Sequence, residues 1–328
     1  MTAAGPDLDE IQALRERLRG VIHDTPMVRC AGIEDALDGD MAVLAKLEFL
    51  QRTGTFKARG ALASMYALTP AEISAGVTAV SAGNHAIATA FAAQAVGASA
   101  KLVMLRSANP SRVAACSAFG ADVVFADDVH QAFEVAEAIE KDEGRFLVHP
   151  FEGAPVATGT GTLGLEICEQ APDVEAIIVP VGGGGLIGGI ANAVKRVKPD
   201  CEVIGVEPVG ADTMSRSLAA GEPMSIDAVR TIADSLGAPF ALPYSLGLCQ
   251  LHVDRVVLVD DEQLRRSMGF LFRAMKIAVE PACAASTAAL LGPLRAELSG
   301  KRVTLVMCGS NTDWATFQEQ ADFSNDPG

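Results

Sequence analysis

The sequence predicts an α/β fold built mainly on parallel strands, and three features point there. From Val77 onward, short apolar runs alternate with segments of helical period. Each run ends in a glycine or a polar turn. Several runs are apolar at nearly every position, as strands covered on both faces are.

Taken in order, Ala42–Leu47 is a strand candidate that gives way through a polar turn to a helix. Val77–Val80, Lys101–Leu105, Asp122–Phe125 and Phe146–Val148 follow, with helices His85–Val96, Arg112–Phe119 and Val129–Lys141 between them. Ala176–Val181 is the most apolar strand, and a glycine run leads from it into a helix reaching Val197. Glu202–Val206, Arg255–Val259 and Val303–Met307 complete the series. At 328 residues the chain exceeds a typical domain of roughly 100–200 residues, so one large core or two packed lobes is expected. No repeat or low-complexity linker marks a boundary between them.

Composition excludes several function classes. Lys and Arg total 26 against 41 Asp and Glu, and no basic run could follow a phosphate backbone, so nucleic acid is not an expected partner. The polar, acidic Met1–Glu10 lacks the pattern of a secretory signal, which makes a cytoplasmic protein the expectation. The apolar stretch around Ile177–Ile190 falls short of the about 20 residues a membrane span needs. Seven scattered cysteines without a C-x-x-C pair suggest neither a disulfide framework nor a zinc site.

In open α/β sheets, ligands gather beyond the carboxyl ends of the strands, and three turns there are unusual. Ser81-Ala82-Gly83-Asn84-His85 leaves helix N-terminal amides free to hold an anion such as a carboxylate, although an ordinary capping turn with an exposed His85 reads equally from these residues. Gly182-Gly183-Gly184-Gly185 brings backbone amides close to a phosphate, because no Cβ obstructs the approach. The same segment satisfies a dinucleotide fingerprint through Gly183, Gly185 and Gly188, with Glu207 at a suitable distance for a ribose contact. In Thr53–Ala61, Lys57 enters a helix behind Phe56; it is either a desolvated nucleophile or a solvated surface lysine.

In this order and at these separations, the three segments resemble the fold-type II pyridoxal-phosphate enzymes, specifically the threonine/serine dehydratase and serine racemase group. The likeness covers nearly the whole chain. His149-Pro150, Gly205–Pro208, Thr231–Asp234, Glu280–Ala282 and Cys308–Asn311 agree with it. It implies two lobes, residues 77–150 forming a small one and 1–76 with 151–328 a large one, each with a twisted, mostly parallel sheet flanked by helices. It also implies pyridoxal 5′-phosphate held by Lys57 as a Schiff base, with Lys57 the base at Cα. Phe56 would pack on the ring, Asn84 bond its phenolic oxygen, and Gly182–Gly185 with Leu186 hold the phosphate. Glu280 would lie at the cofactor, Cys308 beside the pyridine nitrogen, and Ser81–His85 would take the substrate carboxylate.

The resemblance further implies elimination from a small β-hydroxy amino acid, L-threonine or L-serine, giving a 2-oxo acid and ammonia. A hydroxyaspartate dehydratase, a serine racemase, a β-replacement synthase and a binding protein on the same fold are the alternatives. Ala82 occupies the position of the racemases' second acid/base, a serine, which favours dehydration. The family's divalent-cation site, for Mg²⁺ or Ca²⁺, maps to Glu207, Ala211 and Thr213, the last replacing an aspartate. Thr160, Ser235 and Cys283 depart from the usual pocket residues, and Phe133 stands where serine racemase has arginine, leaving Arg112 or His130 to bind a second carboxylate. A homodimer is expected from the family. No feedback control is expected of a chain ending soon after the Cys308 loop.

Overall fold

Ten strands form two sheets among the described residues of the computed structural model, 5–37, 41–81 and 83–323. Ala82, on which the preference for dehydration over racemisation rests, lies outside them.

The larger sheet runs β1-β2-β10-β7-β8-β9, with β1 Met27–Arg29, β2 Ala42–Leu47, β7 Ala176–Pro180, β8 Glu202–Pro208, β9 Arg255–Val259 and β10 Arg302–Met307. All pairings are parallel except β1 on β2. The smaller, wholly parallel sheet runs β5-β4-β3-β6, with β3 Val77–Val80, β4 Ala100–Leu105, β5 Asp122–Ala126 and β6 Phe146–Leu147. The expected strands are present with ends moved by one or two residues. Only β1 was not foreseen, since three residues are too few to show a period.

Burial explains the apolar runs. Every residue of β7 is buried, and the whole of the helix Pro281–Leu291 that packs on β7 and β10 is buried too. A central helix of this kind has no polar stripe to expose. The smaller sheet has its own cluster of buried side chains, joined by Ala58, Leu62 and Met65 of the helix Lys57–Tyr66. That helix packs against both Asn84–Val96 and Ala154–Gln170, placing its first turn where the carboxyl ends of β3, β7 and β10 converge.

Candidate active site

Lys57 opens its helix at the bottom of a cavity of about 400 Å³. The turn before it is fixed to the end of β10: Thr55 bridges to Gly309, and the Phe56 amide donates to the Cys308 carbonyl at 3.1 Å. Lys57 Nζ donates to the Pro150 carbonyl at 2.6 Å. Loss of hydration lowers its pKa to about 8, against the attraction of Cys308 and Glu280. Of the two readings of this lysine, the surface one is excluded.

A buried ionic cluster holds the same helix from the other side. Arg59 forks onto Glu48, Nε to Oε2 at 2.8 Å and Nη2 to Oε1 at 2.9 Å, and onto Glu166, Nη1 to Oε1 at 2.6 Å and Nη2 to Oε2 at 2.9 Å. Lys46 adds 2.6 Å to Glu166, and all four side chains are buried. Two cations and two carboxylates leave no net charge in the interior, which makes their burial tolerable.

A second, narrower space brings together the residues assigned to the cofactor: Phe56, Lys57, Asn84, Gly182–Gly185 with Leu186, Glu280 and Cys308. The glycine run ends at the start of the helix Gly185–Val197, where amides are free. Gly184 has φ +87°, a left-handed conformation costly for any side chain. A methyl group on Gly183 would strike the Phe151 ring. Thr160 is fully buried, its hydroxyl 2.8 Å from the Gly185 carbonyl and 3.0 Å from the Val156 carbonyl, and it lines a small space shared with Lys57, His85 and His149. The hydrogen bond with the adjoining Cys283 thiol, and then burial, raise Cys308 well above the usual thiol range, so it stays neutral.

Asn84 is the hub of a polar chain across the cleft. Its Nδ2 donates to Glu280 Oε1 at 2.7 Å and to Ser235 Oγ at 3.1 Å, and its Oδ1 accepts from Asn311 Nδ2 at 2.8 Å. Arg112, from the helix Pro110–Ala118, reaches across to Asp234 at 2.6 Å and to the Asn311 carbonyl at 2.9 Å. The sequence carried no sign of this bridge, because its partners lie more than 120 residues away. Burial raises Glu280 to about 6, with Arg112 opposing.

Ser81, Gly83, Asn84 and His85 all line the larger cavity. The helix that follows has no side-chain cap, and His85 is buried rather than exposed, its Nε2 2.8 Å from the Val148 carbonyl. The plain capping turn is thereby excluded. Burial drives the His85 pKa down to about 3, with Lys57 adding to the effect. An unfolded chain binds this proton near pH 6.5 and the folded one does not, so acidification between those values favours unfolding. Stability should fall by up to about 1.4 kcal/mol per pH unit from this group. Urea titrations at several pH values should show a shallower acid slope for His85→Asn; an unchanged slope would assign the acid sensitivity elsewhere.

The expected cation site is not built as one. Glu207 accepts from the Met214 and Ser215 amides, both at 2.8 Å, and from Ser215 Oγ at 2.6 Å, which makes it the cap of the helix Thr213–Ala220. Thr213 donates to the Ala238 carbonyl at 2.7 Å, and Asp212 pairs with Arg216 at 2.8 Å. The donors near Ala211 are thus spent on protein partners. Among the described residues no group of three His, Cys, Asp or Glu is placed to hold a metal ion. These residues do not fit Mg²⁺ or Ca²⁺, and the ribose role considered for Glu207 falls with the same bonds.

A lysine of lowered basicity, a glycine cradle at a helix start and a neutral thiol fit pyridoxal phosphate, and with two mostly parallel sheets they define a fold-type II enzyme of that cofactor. The chain belongs to the family of pyridoxal-phosphate dependent enzymes, whose signature spans residues 18–309. It is 51% identical to phenylserine dehydratase of Ralstonia pickettii over 96% of each chain. It is 36% identical to L-threonine ammonia-lyase of Thermotoga maritima, over 93% of this chain and 76% of that one. The structure of maize serine racemase superposes with a TM-score of 0.90 at 33% identity, covering 97% of both chains. The protein is a pyridoxal-phosphate-dependent ammonia-lyase. No helix among the described residues is long and apolar enough to cross a membrane.

Proposed function

We propose that this ammonia-lyase dehydrates a β-hydroxy amino acid carrying an aromatic β-substituent, giving a 2-oxo acid and ammonia. The observation that carries the reading is the apolar wall of the cavity over Lys57: Val80, Val103, Leu105, Phe133, Leu147 and Phe240. Phenylserine, the substrate named for the Ralstonia pickettii relative, has such a ring. Threonine and serine undergo the same chemistry but leave that wall without a partner. Hydroxyaspartate requires a cation there, and both candidates are occupied elsewhere. Arg112 is bound to Asp234 and Asn311; exposed His130 lies 3.4 Å from Glu134 and does not line the cavity.

Residues 77–150 act as the small lobe over the cleft. Pyridoxal phosphate, when bound, supplies the aldehyde that holds the substrate amine and the ring that acidifies its Cα. Lys57, with a pKa near 8, takes the Cα proton; an ordinary lysine would be protonated too firmly to serve. Ser81, Gly83, Asn84 and His85 orient the carboxylate at the helix start. Cys308, a neutral thiol, would be too weak a donor to protonate the pyridine nitrogen, which would favour prompt loss of the β-hydroxyl as water once the Cα proton is removed. The enamine then tautomerises and loses ammonia in water. Glu207, Ala211 and Thr213 take no part through a cation.

The test is a 2-oxo acid assay over the stereoisomers of phenylserine, threonine, serine and hydroxyaspartate, without an added nucleophile. Burying a phenyl ring contributes about 2–3 kcal/mol, so kcat/KM for phenylserine should exceed that for threonine roughly 30- to 160-fold. Equal values, or a preference for threonine, would remove the aromatic assignment. A requirement for an added nucleophile would indicate β-replacement.

A further inference from the structure

His149 lines the larger cavity, and the chemistry above leaves it unused. Its Nδ1 accepts from the backbone amides of Phe151 at 3.3 Å and Glu152 at 3.0 Å. A nitrogen that receives two N–H groups carries no hydrogen itself, so the neutral ring bears its proton on Nε2. Phe151 fixes the ring plane edge-on, 4.6 Å between centroids and 88° between planes. Burial lowers the ring's pKa, opposed by Glu152 and assisted by Lys57, which keeps it neutral near pH 7. Among the described residues no protein group accepts from Nε2. The neighbouring polar side chains differ: Arg112, Asn84 and Ser235 are all committed to partners.

Position then limits what that donor can meet. His149 sits between Val148, whose carbonyl contacts His85 of the carboxylate loop, and Pro150, whose carbonyl contacts Lys57 Nζ. A substrate with its carboxylate at the loop and its Cα at the lysine has two polar or bulky Cβ groups left to place. The ring belongs against Val103, Leu105 and Phe133, leaving the hydroxyl for the polar side of the cleft. We infer that His149 Nε2 donates a hydrogen bond to the substrate β-hydroxyl and so selects and orients a β-hydroxy substrate. The inference rests on the proposed dehydration. His149 serves it as a neutral donor and keeps its own proton; the β-hydroxyl and the proton that Lys57 takes from Cα leave together as water.

The experiment uses the holoenzyme with two kinds of leaving group. His149→Asn keeps an acceptor for the two amides but lacks the distal donor, whereas His149→Gln extends an amide N–H toward the Nε2 position. For phenylserine, His149→Asn should lose roughly 10- to 100-fold in kcat/KM, and His149→Gln should recover part of it. With β-chloroalanine, whose chloride departs without a hydroxyl contact, both variants should stay within about threefold of the parent. Nitrogen NMR of histidine-labelled holoenzyme should show Nε2 protonated and Nδ1 bare at pH 7, whatever the activity. Parallel losses with both substrates, no loss with either, or a proton on Nδ1 would each overturn the inference. A parent enzyme that eliminates chloride but dehydrates no hydroxy amino acid would overturn the dehydratase reading instead.

Discussion

Lys57→Ala should reduce 2-oxo acid formation by roughly 10⁴-fold or more, since it would remove both the proposed tether of the cofactor and the proposed base at Cα. The fold should persist. The amine makes one bond, to the Pro150 carbonyl, and its lowered pKa shows that burial already works against its charge. Removing a desolvated cation strands no opposite charge bonded to it, and only the Pro150 carbonyl loses its donor. The visible absorbance of the lysine-bound cofactor should vanish, with the urea midpoint unchanged or slightly raised. Lys57→Arg should be equally inactive, because a guanidinium stays protonated and forms no imine at neutral pH. Retained turnover in either variant would move the chemistry to another residue.

Arg59→Met should destabilise the protein by about 3–5 kcal/mol, the usual result of stranding a buried charge. It would leave Glu48 and Glu166 inside the protein with Lys46 as the one cation among the four. Lysine should not rescue the position, since one ammonium cannot fork onto two carboxylates as the guanidinium does. Arg59 lies two residues beyond Lys57 on the same helix, so weakened cofactor retention should accompany the stability loss. Denaturation of the apo and holo forms separates the two effects. A loss under about 1 kcal/mol would mean that the cluster relaxes or admits water.

These two neighbours illustrate how differently parts of the site were legible. Lys57 could be found from the sequence because Thr53–Ala61, Ser81–His85 and Gly182–Gly185 are each local turns whose residue types carry their own chemistry. Arg59 stood in the same segment, yet its partners are 11 and 107 residues away, and nothing local indicated that it is buried. The cation site shows the converse. Glu207 and its neighbours had the spacing of ligands, but the carboxylate's oxygens are taken by the amides and hydroxyl at the start of the next helix. Spacing along a chain does not say which donor arrives first. Thr160 lines a space beside Lys57 as its sequence position suggests, but the bond of its hydroxyl to the Gly185 carbonyl on the neighbouring helix could not be read locally.

The sequence by itself determined the alternation of strand and helix and nearly every strand of both sheets, and it singled out the glycine run and the lysine proposed to hold the cofactor. Those depend on periodicity and local residue types, which are properties of short segments. Tertiary structure alone decided that Lys57 is desolvated, that His85 is buried, that Arg112 spans the cleft and that His149 lines the cavity with Nδ1 held by two backbone amides. Each depends on what a side chain meets after distant strands have paired, because desolvation and hydrogen-bond competition are set by neighbours in space. The apolar wall of the pocket, the basis for proposing an aromatic substrate, is likewise assembled from residues between Val80 and Phe240 that no local pattern joins.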